Sequence, residues 1–269
     1  MKVGNQVHFI GGGQMSEAMI RAILANNVLT TKDITVTDIS EERQNYLTET
    51  YQIETDQQQA QFLADADLIV IGVRPQDDLQ SVCQVINDYG SKAATVISIV
   101  AGVTIEQFER WFDQGRAIAR VIPNTLTDTG RGYSGVALNG HANQADVDQF
   151  LNGFGKVKYI DEKLIDTFTG YGVAGPNYIY YFIESLADAG VLAGLPRDIA
   201  WEVALENMVG AVEMLQKSGK HPRQLLDINN SPAGVGINAL HELNRSDFAA
   251  GLQRSVLKAV KRTTELANQ

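Results

Sequence analysis

The sequence predicts an α/β fold in two parts, a doubly wound sheet over residues 1–161 and an all-helical region over 162–269. The stretch from Val7 to Ile20 reads as a short apolar strand, a glycine turn and the first turns of a helix. β-Branched runs then alternate with amphipathic helices as far as Ile160, the pattern of strands joined by right-handed crossovers. From Asp161 onward no further strand is convincing, and amphipathic helices take over.

The opening turn is Gly11-Gly12-Gly13-Gln14-Met15-Ser16, with Gly11 and Gly13 in the first two places of the dinucleotide pattern Gly-x-Gly-x-x-Gly/Ala. Gly11 permits the tight turn, and Gly13 lets the backbone approach a pyrophosphate with no Cβ in the way. A helix starting near Gln14 turns unpaired N–H groups toward that anion. Ser16 stands where a smaller residue is usual. The expected fold of this half is therefore Rossmann-like.

Further along, Ile34-Thr35-Val36-Thr37 is a β-branched strand with Asp38 at its carboxyl end. Two readings of Asp38 stand. It bonds the ribose hydroxyls and repels a 2′-phosphate, favouring NAD(H) over NADP(H), or it is a turn or N-cap aspartate before Ser40. Glu41 to Leu47 is a helix, and Asp67 to Val73 is a near-continuous apolar strand of parallel-sheet type. Val73-Arg74-Pro75 leaves its carboxyl end, the edge where ligands sit in open α/β sheets. Leu79 to Ile86 is a helix; Ala94 to Val100 is a strand ended by Ala101-Gly102. Thr104 and Gln107 form a capping box for the helix Ile105 to Phe112. Ala117 to Ile122 is the next strand, left by Pro123-Asn124-Thr125. Tyr133 to Leu138, a helix from Ala145 to Phe154, and a short strand from Val157 to Ile160 complete this part.

In the second part Leu164 to Thr169 leads into the glycine-rich bend Gly170-Tyr171-Gly172-Val173-Ala174-Gly175. Pro176 then sits at a first helical position, and Gly190 is expected to end that helix. A long helix follows from Leu195 to Gln216. Asn229 to Gly236 is a second glycine-rich bend before two closing helices, Ile237 to Leu243 and Asp247 to Leu266.

A net charge of −10 argues against a nucleic-acid surface, which needs clustered Lys and Arg. One cysteine, Cys83, leaves no disulfide within the chain and no thiolate zinc site, so no metal is expected. With no basic-plus-apolar leader and no run near the ~18 residues of a membrane helix, a cytoplasmic chain without a membrane partner is expected.

A nicotinamide cofactor transfers hydride, and the protein must supply the second site. Alcohol oxidation needs a base, yet no lysine occurs from Leu164 through Gln216 and no histidine from Ala142 through Lys220. His8, His141, His221 and His241 have no carboxylate at triad-like spacing, so no catalytic residue is assigned. A cyclic imine removes the need: its nitrogen protonates near neutral pH, and the iminium carbon accepts hydride directly. The protein then positions the ring and binds any carboxylate through hydroxyls and backbone N–H groups.

The chain resembles the pyrroline-5-carboxylate reductases over nearly its whole length. The likeness lies in Phe9–Met15, Val73–Gln76, Ser98–Val103 and Arg120–Thr125, then in Gly175-Pro176, Glu184–Gly190, Gly194–Arg197, His221-Pro222 and Ser231-Pro232. It implies NAD(P)H-dependent reduction of 1-pyrroline-5-carboxylate to proline by homodimers joined through the C-terminal helices, often built into larger rings. It places the cofactor at Gly11, Gly12, Gly13, Gln14, Met15, Asp38, Val73, Arg74, Pro75, Ala101, Gly102 and Asn124. Substrate falls to Asn124, Thr125, Gly172, Ala174, Gly175, Ser231, Gly234, Val235 and Gly236.

The departures fall on the substrate side. The family's Ser-Gly-Ser-Gly-Pro is here Gly172-Val173-Ala174-Gly175-Pro176, and its Ser-Pro-Gly-Gly-Thr/Ala-Thr is Ser231-Pro232-Ala233-Gly234-Val235-Gly236. Each lost charge-assisted hydrogen bond costs about 1.5–3 kcal/mol. Three expectations follow: a pyrroline-5-carboxylate reductase whose backbone donors at 234–236 hold the carboxylate, a reductase of a different cyclic imine, or a non-catalytic dinucleotide-binding paralogue.

Overall fold

In the computed structural model, which describes residues 6–56 and 60–266, short β-branched segments stack into an eight-stranded sheet. The strands are β1 (Val7–Ile10), β2 (Ile34–Thr37), β3 (Glu54–Thr55), β4 (Leu68–Ile71), β5 (Thr95–Ser98), β6 (Ile118–Pro123), β7 (Tyr133–Leu138) and β8 (Lys156–Tyr159). Their order is β3-β2-β1-β4-β5-β6-β7-β8, parallel from β3 to β6. The first crossovers run outward to β2 and β3, and the chain then returns past β1 to β4. The crevice where the direction switches lies at the carboxyl end of β1.

Besides the short helix Ala60–Asp65, two features of the sheet carry no sequence signal. The short strand β3 carries a polar pair, too brief for any periodicity. The other is a reversal: β7 runs antiparallel to β6, and β8 then lies parallel to β7. Residues 124–132 join β6 to β7, and a parallel crossover needs about a dozen residues or more. The chain has no room to cross over, so it folds back.

Helices cover both faces because strand side chains alternate. Phe9, Val70, Ile97 and Val121 pack with Met19 and Ile23 of α1 (Gln14–Ala25), Leu47 of α2 (Glu41–Tyr51) and Phe150 of α6 (Gln144–Asn152). On the other face Ile69, Ile71, Val96 and Ile122 meet Leu63 of α3 (Ala60–Asp65), Cys83 of α4 (Leu79–Tyr89) and Phe108 of α5 (Ile105–Trp111). Burial pushes the Cys83 thiol up to about 12, so it is an inert apolar filler. Buried Arg120 on β6 pairs with Glu162 at 3.1 Å and with Asp166 of α7 (Ile165–Phe168) at 3.2 Å. Glu162 also accepts the Ile105 N–H at 2.7 Å, tying α5 to the same point.

The chain divides into two compact units. One runs to Val173 and includes the segment from Ala259; the other is Ala174–Lys258. The expected boundary at 161/162 falls inside the first, since α7 and the π-helical turn Thr169–Val173 join its sheet. The second unit contains α8 (Gly175–Leu192), α9 (Arg197–Ser218), α10 (Pro222–Asn229), α11 (Val235–Arg245) and the start of α12 (Phe248–Leu266). Gly190 does not end α8. The helix continues to Leu192, and the glycine serves packing instead: an added Cβ would lie 2.9 Å from the Ala200 Cβ of α9. No helix among the described residues is long and apolar enough to cross a membrane.

Candidate dinucleotide and substrate sites

The parallel strands deliver Gly11, Asp38, Val73-Arg74-Pro75, Ala101-Gly102 and Asn124 to one edge of the first unit, each just past the carboxyl end of its strand. Gly11 turns the chain at φ +97° and donates its N–H to Thr37 O at 2.8 Å. A Cβ there would lie 2.9 Å from the Gly72 carbonyl, so both the dihedral and the contact require glycine. The serine at the third place fits because Gly72 faces it: a Cβ on Gly72 would stand 2.3 Å from Ser16 Oγ.

Gly13 is the N-cap of α1, extended at φ −62°, ψ −178°, with no side chain to cap the helix. A Cβ added to it would meet no atom within 4 Å, so nothing in this chain demands glycine there. Open backbone, an uncapped helix start and its dipole are the features an anionic diphosphate needs. Asp38 fits both of its readings. Oδ1 accepts the Ser40 N–H at 2.9 Å as a turn aspartate, while Oδ2 accepts the Gly12 N–H at 2.8 Å. Ser40, not Asp38, caps α2 by accepting the Arg43 N–H. A carboxylate has about four lone-pair sites, so acceptor capacity for ribose hydroxyls remains.

Arg74 is largely exposed and tied to Asp77, which accepts from its Nη2 at 2.9 Å and its backbone N–H at 2.8 Å. Gly102 sits at φ +83° after Ala101. Asn124 is buried, and its Oδ1 accepts the N–H of Leu126 at 3.2 Å and of Tyr133 at 3.1 Å. That side chain closes the β6–β7 connection, while Thr125 beside it is exposed.

Gly172 lies in the π-helical turn, and Ala174-Gly175 opens α8 with Pro176 in its first turn. In the second glycine-rich bend Ala233 has φ +58° and Gly234 is the N-cap of α11, without a side-chain cap. The Gly234 N–H is not a free donor, since it bonds Ser231 O at 3.0 Å. Val235 and Gly236 begin the helix, and their N–H groups belong to its uncapped first turn.

The histidines are structural where their partners are visible. His8 is buried on β1 between the hydroxyls of Thr35 at 2.8 Å and Thr37 at 3.2 Å. His221 caps α10, its Nδ1 accepting the Arg223 N–H at 3.3 Å. Two residues absent from the sequence reading stand against the glycine turn: Arg43 donates to Gly12 O, and Glu17 receives Arg43. The available sign was the one acidic residue of the first helix turn, Glu17, at the end of the helix where an anion would bind.

The profile described as "Pyrroline-5-carboxylate reductase dimerisation" matches residues 162–266, and one described as "NADP oxidoreductase coenzyme F420-dependent" matches 6–102. The chain is 34% identical to a pyrroline-5-carboxylate reductase of Arabidopsis thaliana, covering 97% of this chain and 95% of that one. It is 32% identical to a Synechocystis enzyme of the same name, covering 98% and 99%. Among solved structures, the Plasmodium falciparum pyrroline carboxylate reductase with NADP bound superposes with a TM-score of 0.87 at 29% identity, over 98% of each chain.

Proposed function

This chain belongs to the pyrroline-5-carboxylate reductase family, and we propose that it reduces 1-pyrroline-5-carboxylate to L-proline with a nicotinamide dinucleotide. The observation that carries this is the near-full-length likeness to enzymes of that name, which spans the glycine turn and the helical region alike. Different cyclic imines and a non-catalytic role are not favoured.

The bound cofactor supplies hydride. The Gly11–Met15 turn, where the α1 N-terminus offers unpaired N–H groups, would hold its diphosphate, and Val73–Pro75, Ala101 and Gly102, along the same strand edge, would line the rest of the nucleotide. Asp38 takes the ribose hydroxyls and repels a 2′-phosphate, so NADH is preferred. The imine arrives protonated, and the protein holds its carboxylate on the Val235 and Gly236 N–H groups at the start of α11, beside Ser231. These backbone donors stand in for the hydroxyls that the bend lacks. Asn124, Thr125, Gly172, Ala174 and Gly175 have the remaining substrate roles. No side-chain proton donor is needed, in keeping with the structural tasks of His8 and His221. The working form is a homodimer through the C-terminal helices, open to assembly into a ring of dimers, and it acts in the cytoplasm.

The test is direct. Purified protein given 1-pyrroline-5-carboxylate should oxidise NADH and release proline, with kcat/KM for NADH above that for NADPH. Nucleotide binding with no imine turnover would refute the activity. A tenfold preference for NADPH would refute the role of Asp38.

A further inference from the structure

We propose that Arg43, held by Glu17, is a positioning residue that fixes the peptide between Gly12 and Gly13 so that its N–H faces the nucleotide's diphosphate. This rests on the reading that a nicotinamide nucleotide binds at that turn. Gly12 is gripped at both ends. Its N–H donates to Asp38 Oδ2 at 2.8 Å, and its carbonyl accepts from Arg43 Nε at 2.5 Å. The other arm of the guanidinium, Nη2, donates to Glu17 and reaches Gly13 O at 3.5 Å.

In a planar trans peptide the carbonyl and the following N–H point to opposite sides, and no described peptide bond is cis. With the Gly12 carbonyl turned to Arg43, the Gly13 N–H must point away from it. The side chain that would shield that N–H is missing, and a Cβ at Gly13 would touch nothing. Arg43 therefore acts from behind the turn. Its side chain is 20% exposed, and its guanidinium lies over the Tyr46 ring, 5.0 Å from the centroid.

Glu17 keeps Arg43 there. Its side chain is 7% exposed and also accepts from Tyr51 Oη at 2.7 Å, Tyr46 Oη at 3.0 Å and Arg21 Nη1 at 3.4 Å. Burial pushes its carboxyl up, but the Tyr51, Arg43 and Tyr46 hydrogen bonds outweigh that and hold it below the usual range. The carboxylate stays charged, and Arg43 swinging out would take from Oε2 the cation it faces, while Oε1 keeps Arg21 and the two tyrosines. Because Arg43 orients a backbone group common to both nucleotides, its effect does not depend on a 2′-phosphate.

Fluorescence titration of the full-length protein with NADH and with NADPH tests this on R43Q, R43K and E17Q. R43Q should weaken both nucleotides by about tenfold, the share of a single charge-assisted hydrogen bond. In turnover the nucleotide KM should rise while kcat at saturation falls less than threefold. R43K should recover part of the loss. E17Q should lose less than R43Q, and the double variant no more than R43Q alone, since Glu17 acts through Arg43. Loss confined to NADPH would make Arg43 a direct 2′-phosphate contact and overturn the proposal. So would wild-type affinity in R43Q or in E17Q, or a lowered melting temperature with both affinities intact. Binding is the readout, so a wild-type protein that titrates NADH but reduces no imine removes the substrate assignment and leaves the Arg43 comparison decisive.

Discussion

His8 shows how one side chain on a sheet couples stability to pH. It sits on β1 facing Thr35 and Thr37, its ring 5.6 Å from that of Phe62, with no carboxylate among its hydrogen-bond partners. Burial lowers its pKa from 6.5 to about 4. The folded state thus binds fewer protons than the unfolded chain between these values, and stability falls as pH drops from about 6.5 to about 4. The full shift corresponds to about 3 kcal/mol. Thermal melts at pH 7 and pH 5 should show a smaller acid loss for His8→Leu than for the wild type. Equal losses would mean that other groups carry the acid limb.

At the scale of elements, the α8–α9 pair rests on few buried side chains. Ile183, Ala187 and Ala204 form its core, with Met208 packed against them, and small residues set the separation of the helices. Gly190 within α8 packs closely against Ala200, leaving no room for a Cβ. Gly190→Leu should gain about 1 kcal/mol in helix propensity and lose more through the forced separation. A net destabilisation of about 1–2 kcal/mol is expected, read as a lower urea midpoint for the transition of the helical region. An unchanged midpoint would show that the two helices part freely. The β6–β7 reversal belongs to the same scale, because a connection length rather than a residue type decided it.

For the whole molecule, the second unit leaves a large apolar area uncovered in a single chain. Leu192 is 89% exposed, Tyr181 74% and Val209 55%, and Trp201, Val212 and Met214 are also open. Monomeric proteins rarely expose contiguous apolar area on this scale, and the region is the one that matches a dimerisation profile. Sedimentation should therefore give at least twice the 29.4 kDa chain mass. Val209→Glu should shift the protein toward the monomer with lower stability, because a charge would be buried without a partner. A wild-type monomer at micromolar concentration would contradict the assembly.

Local chemistry determined much of this protein. Alternating β-branched runs, the Gly11–Gly13 turn, the Thr104–Gln107 capping box and the helices after Asp161 are short-range patterns, and each was legible in the chain itself. So was the strand edge that gathers Gly11, Asp38, Val73 and Ala101, since parallel topology sends every strand end to the same side. Tertiary structure alone decided what depends on distant partners. Gly190 reads as a helix end until Ala200 is seen against it, and Ser16 reads as oversized until Gly72 makes room. Arg43 looks like a surface charge until its guanidinium is found on the Gly12 carbonyl, 31 positions away along the chain. Contacts of that span leave no periodicity behind, so only the folded chain reveals them.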